Sequence, residues 1–332
     1  MKYGYLGKSN VNVSKVTLGT MHFGRKTDEK NSFKIMDKAL DMGINFFDTA
    51  NVYGAEAGAT ETIIGKWLAK DKSRRDKIVL ASKVYGNMIR DKSVPNDERG
   101  ISKYKVKKHL EDSLQRLQTD HLDLYQVHHV DRHITADEFF EIFEGAKADG
   151  KILYLGTSNF PSWKLAQLQT EAKYRGSLGI VSEQTQYNLL NRLPELEVMP
   201  ACDASGIGLF PYMPLAGGLL TGKVTTAENT RTSEVAKEYN VAVGTDEKLL
   251  AYSKLCSELG APPAAVAIAW VLSHPVVSSA IVGIRTLEHL DVLDEAANLY
   301  LPEDFLERLE ELFNINEGRK IKNGPAPEAY AW

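Results

Sequence analysis

Eight short apolar runs punctuate this chain, and amphipathic stretches separate most of them. That alternation narrows the fold more than any other feature of the sequence. Strand-like runs occupy residues 16–21, 45–50, 78–84, 122–128, 152–158, 180–186, 208–214 and 279–285. Helical periodicity marks 32–42, 60–69, 105–117, 136–148 and 162–172, then 263–272 and 286–297, with Pro262 and Pro263 suited to a helix start. Strands apolar on both faces, each followed by a helix, form a parallel sheet. Eight such units fit a closed (β/α)8 TIM barrel, an α/β fold, better than an open sheet. Before the first unit, residues 3–14 read as a hairpin with a Gly/Ser/Asn turn. Residues 221–245 are polar and without clear periodicity, and 85–99 form a long polar loop after the third strand. No linker or charge block divides the chain, so residues 1–332 are expected to form one barrel domain.

Composition excludes several function classes. With 43% hydrophobic residues the chain can bury a core without metals or disulfides. Its 40 basic residues are scattered among 44 acidic ones, which gives no basic patch for nucleic acid. Cys202 and Cys256 form no CxxC pair, so neither a zinc site nor a disulfide framework is expected. The opening Met1-Lys2-Tyr3-Gly4-Tyr5 lacks the apolar run of a signal peptide, and no run reaches membrane-spanning length. The expectation is a reduced, cytoplasmic protein with no membrane partner; a homo-oligomer stays open.

In a barrel of this kind the chemistry gathers at the C-terminal ends of the strands. The second strand ends in Asp48-Thr49-Ala50-Asn51-Val52-Tyr53, the third carries Lys83 and the fourth ends in His128-His129. Read singly, Asp48 serves equally well as a helix cap, Lys83 as a satisfied core ion, Tyr53 as a loop aromatic and His128 as a structural histidine. Read together they make a proton donor. A phenol titrates near pH 10, and a neighbouring ammonium stabilises its phenolate. Asp48 would hold Lys83 charged, and His128 would orient a substrate oxygen towards Tyr53. Protonating a carbonyl oxygen this way requires hydride at its carbon, which no side chain supplies. A cofactor and a small-molecule carbonyl substrate are therefore expected, with Met21, His22, Phe23, Tyr53, Tyr85 and His129 as candidate pocket residues.

These residues resemble the aldo-keto reductases over nearly the whole chain. The resemblance is carried by Leu18-Gly19-Thr20-Met21, Gly43-Ile44-Asn45-Phe46-Phe47-Asp48-Thr49-Ala50-Asn51-Val52-Tyr53-Gly54 and Asp123-Leu124-Tyr125-Gln126-Val127-His128. Further matches are Gly156-Thr157-Ser158-Asn159, the run from Pro214 to Lys223, and Gly283-Ile284-Arg285-Thr286. It leans towards bacterial members related to potassium-channel beta subunits and towards enzymes of sugar-like ketones. The resemblance implies a hairpin closing the barrel bottom and a catalytic tetrad of Asp48, Tyr53, Lys83 and His128. It implies NADP(H) in preference to NAD(H). Ser158, Asn159 and Gln184 would hold the carboxamide, with Tyr212 against the nicotinamide ring. Thr20, Met21 and Asp48 would line the same site, followed by Met213, Pro214 and the backbone from Leu215 through Ala216 to Gly217, with Lys223 on the pyrophosphate. Gly283, Arg285 and His289 would face the adenosine end, Arg285 pairing with the 2′-phosphate. The chain departs from the family pattern at His289 and at Val292-Leu293, among the adenine contacts.

Other readings compete. The run from Gly217 to Lys223 approaches a phosphate-binding P-loop, but Val224 stands where a magnesium-binding Ser or Thr is needed. A Schiff-base role for Lys83 conflicts with the acidic Asp48 beside it. A non-catalytic NADP(H)-binding protein that reports redox state to a partner is the main alternative to the enzyme. His128, His129, Asp131 and His133 invite a metal, but neighbouring strand residues face opposite ways; the pair is expected to split, with His128 facing the pocket. Residues 318–332 read as a flap or a frayed tail.

Overall fold

The computed structural model describes residues 1–88, 99–222 and 231–314. Ten strands and eleven α-helices are formed by them. A hairpin of β1 (Tyr3–Tyr5) and β2 (Asn12–Ser14) leads into β3 (Val16–Gly19) and α1 (Glu29–Asp41), then β4 (Phe46–Asp48) and α2 (Ala59–Lys70). Next come β5 (Val79–Val84), α3 (Lys103–Leu117), β6 (Leu122–Val127) and α4 (Ala136–Ala148), then β7 (Ile152–Ser158) and α5 (Ser162–Tyr174). The sequence continues with β8 (Ile180–Gln184), α6 (Val198–Ser205), β9 (Gly208–Leu209), α7 (Arg231–Glu238), α8 (Glu247–Leu259), α9 (Pro263–Ser273), β10 (Ala280–Gly283), α10 (Glu288–Asn298) and α11 (Glu303–Leu312). All eight anticipated strands form, several shorter than expected. Helices α6, α7, α8 and α11 were not anticipated.

The eight strands pair in parallel in the order β10-β3-β4-β5-β6-β7-β8-β9. The sheet then closes on itself. Leu209 N donates to Val276 O at 2.9 Å, Ser278 N to Leu209 O at 2.7 Å and Ile281 N to Pro211 O at 2.9 Å. The result is a (β/α)8 barrel.

Strand alternation separates two cores. Phe47 faces outward and stacks on Trp67 of α2, with centroids 5.6 Å apart. Phe46 faces inward and meets Phe210 at 5.2 Å. The inner cluster is Phe46, Ala81, Leu124, Val181, Phe210 and Ile281, joined by Leu6 and Val13 from the hairpin. The hairpin thus plugs the end of the barrel where the strands begin. At Gly7 (φ 55°) a Cβ would lie 2.4 Å from Val181 O and 2.5 Å from Gly208 N, so backbone meets backbone there. Sealing that end with apolar side chains leaves the polar inward residues at the other. Among the described residues no single helix is long and apolar enough to cross a membrane.

Candidate active site

The open end of the barrel is organised around one buried ion pair. Asp48 ends β4 facing inward, and Lys83 lies near the end of β5 on the same face. Lys83 Nζ donates to Asp48 Oδ2 at 2.6 Å, to Thr49 O at 2.9 Å and to Tyr53 Oη at 3.2 Å. An ammonium has three N–H donors, and these contacts use all of them. The other carboxylate oxygen, Asp48 Oδ1, accepts from Gln126 Nε2 and Gln184 Nε2, each at 3.1 Å. Gln184 also donates to Gln126 Oε1 at 3.1 Å, which leaves its own Oε1 as an acceptor. Both charges are buried, Asp48 at 2% exposure and Lys83 at 0%. Their hydrogen bonds are what make such burial tolerable. Burial alone would lower the Lys83 pKa; Asp48 and Tyr53 outweigh it and raise it, so the ammonium keeps its charge.

Tyr53 stands on the loop after β4. Asn51 fastens that loop: its N donates to Lys83 O at 3.3 Å, and its Nδ2 lies 3.1 Å from His109 Nδ1 on α3. The Tyr53 ring meets His128 edge-on at 5.7 Å. Burial, with Lys83 and His129 nearby, holds the His128 imidazole well below its ordinary pKa. It is neutral at physiological pH and can donate a hydrogen bond without bringing charge.

His128 and His129 do not part to opposite faces as expected. Strand β6 ends at Val127, so its alternation no longer governs them, and their rings stack 5.1 Å apart at 11°. Tyr85 packs against His129 at 5.3 Å. Tyr53, His128, His129 and Tyr85 therefore form a continuous aromatic wall. Asp131 does not join the histidines; its carboxylate accepts from Ile101 N and His133 N, each at 2.9 Å.

Two candidate pocket residues lie elsewhere. Phe23 is fully buried in the core outside the barrel, its carbonyl accepting from Thr60 Oγ1. The turn after β3, in which Phe23 N bonds Thr20 O, carries its side chain away from the mouth. His22 is buried beside Gly283 and accepts from Arg285 Nε at 3.4 Å, which places it with those two residues and not with Tyr53. Met21 is half-buried between these groups.

The residues assigned by resemblance to the dinucleotide form a continuous rim. Thr20 Oγ1 donates to Asp48 O at 2.8 Å, tying the end of β3 to β4. Ser158 Oγ donates to Gln184 O at 2.8 Å, and Asn159 Nδ2 to His128 O at 3.0 Å. Tyr212 Oη donates to Asn159 Oδ1 at 2.9 Å, fixing its ring beside that amide. Met213, Ala216, Gly217 and Gly218 all have positive φ, around the buried Pro214 and half-buried Leu215. Within this run Ala216 N donates to Met213 O and Gly218 N to Leu215 O, each at 2.9 Å, which holds the backbone in a tight turn. Asn188 Nδ2 holds Met213 O at 3.0 Å, and Thr232 Oγ1 of α7 holds Gly217 O at 3.0 Å. Arg285 completes the rim, its backbone O bound by Thr27 Oγ1 and its N 3.5 Å from His289 Nδ1. Lys223 and residues 89–98 of the loop after β5 lie outside the described residues, as does the 318–332 segment.

Gln126 was missed from sequence, although it follows Leu124 by two residues on the inward face of β6 and that spacing signals it. Asn51, His109, Asn188 and Glu183 were also missed.

Residues 15–314 match the model of the aldo/keto reductase family, and the chain belongs to that family. Relatives span it from end to end. The uncharacterized oxidoreductase YrpG of Bacillus subtilis is 48% identical, with both chains covered over 100% of their length. A putative aryl-alcohol dehydrogenase of Schizosaccharomyces pombe is 33% identical over 93% of this chain and 95% of its own. Versiconal hemiacetal acetate reductase of Aspergillus parasiticus is 30% identical over 94% and 96%. The chain is thus an oxidoreductase of a family that works on small carbonyl compounds and alcohols with nicotinamide dinucleotides.

Proposed function

We propose that this protein reduces the carbonyl group of a small aldehyde or ketone, reversibly, with NADPH as its reductant and Tyr53 as its proton donor. The observation that carries this reading is the single buried network joining Asp48, Lys83 and the Tyr53 hydroxyl, with a neutral His128 against the same ring.

The residues present suit the cofactor. Amide and hydroxyl groups of Ser158, Asn159 and Gln184 match a carboxamide, which both donates and accepts. The positive-φ backbone of Met213–Gly218 suits a pyrophosphate, and the Arg285 guanidinium suits a 2′-phosphate and thus NADP(H) over NAD(H). When bound, the cofactor supplies hydride to the carbonyl carbon. As negative charge gathers on the carbonyl oxygen, the Tyr53 hydroxyl gives up its proton to it, and an alcohol forms. Lys83 stabilises the phenolate left behind, and Asp48 keeps Lys83 charged and aimed. His128 donates to the carbonyl oxygen and directs it towards Tyr53. Tyr85 and His129 give the mouth flat, aromatic walls.

Consumption of reduced nicotinamide, followed by absorbance across a panel of aldehydes, diketones and keto-sugars, tests this. Turnover of at least one carbonyl, faster with NADPH than NADH, is expected. Tight dinucleotide binding with no turnover on any of them would contradict it.

A further inference from the structure

Glu183 neighbours Gln184 on β8 yet faces away from the barrel interior. Strand β8 pairs with β7 through a register shift: Leu155 opposes Ile180, but Gly156 opposes Ser182. The extra residue reverses the faces beyond it. Val181 and Gln184 therefore both point inward, one into the apolar plug and one onto Asp48, and Glu183 is left outside.

There its carboxyl is fully buried, and among the described residues it has no ion pair with a Lys, Arg or His. Thr157 Oγ1 donates to Oε2 at 2.5 Å and Phe160 N to Oε1 at 3.0 Å. The titratable groups that face it are the Cys202 thiol of α6 and the Tyr212 phenol after β9. Both are raised by burial and uncharged at neutral pH, so neither compensates a negative charge. Burial accordingly pushes Glu183 up to about 8, against the hydrogen bonds of Thr157 and the Phe160 and Asn159 backbone.

The two residues that Glu183 holds, Thr157 and Phe160, flank Ser158 and Asn159. Asn159 is in the left-handed region (φ 57°), which few side chains other than asparagine adopt readily. Its N bonds Gln184 O at 2.9 Å, and Glu183 anchors the chain on both sides of it.

We propose that Glu183 is a positioning residue that fixes the turn from Thr157 to Phe160, so that Ser158 and Asn159 are presented to the nicotinamide carboxamide. This rests on the dinucleotide reading given above. As an acid, Glu183 donates to Thr157, whose hydroxyl can turn to Ser182 O, 3.4 Å away. Once ionised, it draws the Thr157 proton and places a negative charge behind the turn, in a medium that screens it poorly. The oxidised nicotinamide ring is cationic and the reduced one neutral. Affinity for the oxidised cofactor, relative to the reduced, should therefore rise as pH rises through about 8.

Fluorescence titration of the full chain with NADPH, NADP⁺ and 2′-phospho-ADP-ribose, which lacks nicotinamide, tests the proposal. Glu183→Ala should weaken NADPH about tenfold while leaving 2′-phospho-ADP-ribose unchanged. Glu183→Gln keeps the acceptor for Phe160 and should restore NADPH binding, with an NADP⁺/NADPH affinity ratio that no longer changes with pH. Equal losses for all three ligands in Glu183→Ala, or none, would overturn the positioning role. Should that variant not fold, the same pH dependence of the ratio in wild type and Glu183→Gln would overturn it. A wild-type chain that binds none of the three would remove the dinucleotide reading itself and this proposal with it.

Discussion

Lys83 and Asp48 are buried and hydrogen-bonded to each other at 2.6 Å, with every Lys83 N–H engaged, which makes them a fixed device and not a mobile one. Replacing Lys83 by Met would leave Asp48 as a buried, unpaired carboxylate. The expected cost is roughly 3–5 kcal/mol in denaturant unfolding, and Lys83→Met with Asp48→Asn together should recover part of it. Glu183 behaves differently, because its folded pKa is raised. Its contribution to stability is complete below the ordinary carboxylate value of 4.5 and is lost as pH rises to about 8. Wild type should therefore lose stability across that window, and Glu183→Gln should lose less; parallel curves would show that Glu183 does not titrate there. Asp48, Tyr53, Lys83 and His128 were legible in the sequence because charged and polar residues stand out at the ends of apolar strands. The outward face of Glu183 was not, since it depends on one bulge in β8 that no local pattern announces. The stacking of His128 on His129 was hidden for a related reason: β6 stops one residue earlier than its apolar run suggests.

Strand and helix rhythm survived translation into structure wherever apolar residues recur with a clean period. Helix α4 spans residues 136–148 as read, its start set by the Thr135 hydroxyl accepting from Glu138 N at 3.2 Å. Helix α6 escaped notice because it has eight residues and carries Pro200 in its first turn. Helix α7 escaped because it is short and strongly polar, with Val235 and Ala236 the buried residues among those described in it, yet its Thr232 secures the Gly217 turn. In α8 the buried Tyr252, Leu255 and Cys256 follow helical spacing, so that helix was readable. The hairpin plug makes its own prediction. Leu6→Ala should destabilise the fold by roughly 2–5 kcal/mol in urea unfolding while leaving dinucleotide affinity unchanged, because the plug and the rim lie at opposite ends of the barrel. A matching loss of cofactor affinity would show that the two ends are coupled.

The molecule as a whole divides its work along the barrel axis, with apolar packing at one end and a polar network at the other. The closed ring of strands brings β3, β4, β5, β6, β7 and β8 to one mouth, and so residues distant in sequence converge there. Arg285 closes that ring from the far side, beside His22. Arg285→Ala should weaken NADPH binding far more than NADH binding, measured by titration with each; equal losses would remove the 2′-phosphate from the account. The barrel class was readable from the count of strands alone. The surroundings of Arg285 were not, because nothing near position 22 in the sequence indicates that His22 turns towards β10.

Tyr53→Phe tests the central claim most directly, because it removes the phenolic hydroxyl and little volume. Single-turnover reduction of the best carbonyl substrate should slow roughly 10²–10⁴-fold, with NADPH affinity close to that of wild type. Undiminished turnover in Tyr53→Phe would contradict the assignment of Tyr53 as the proton donor.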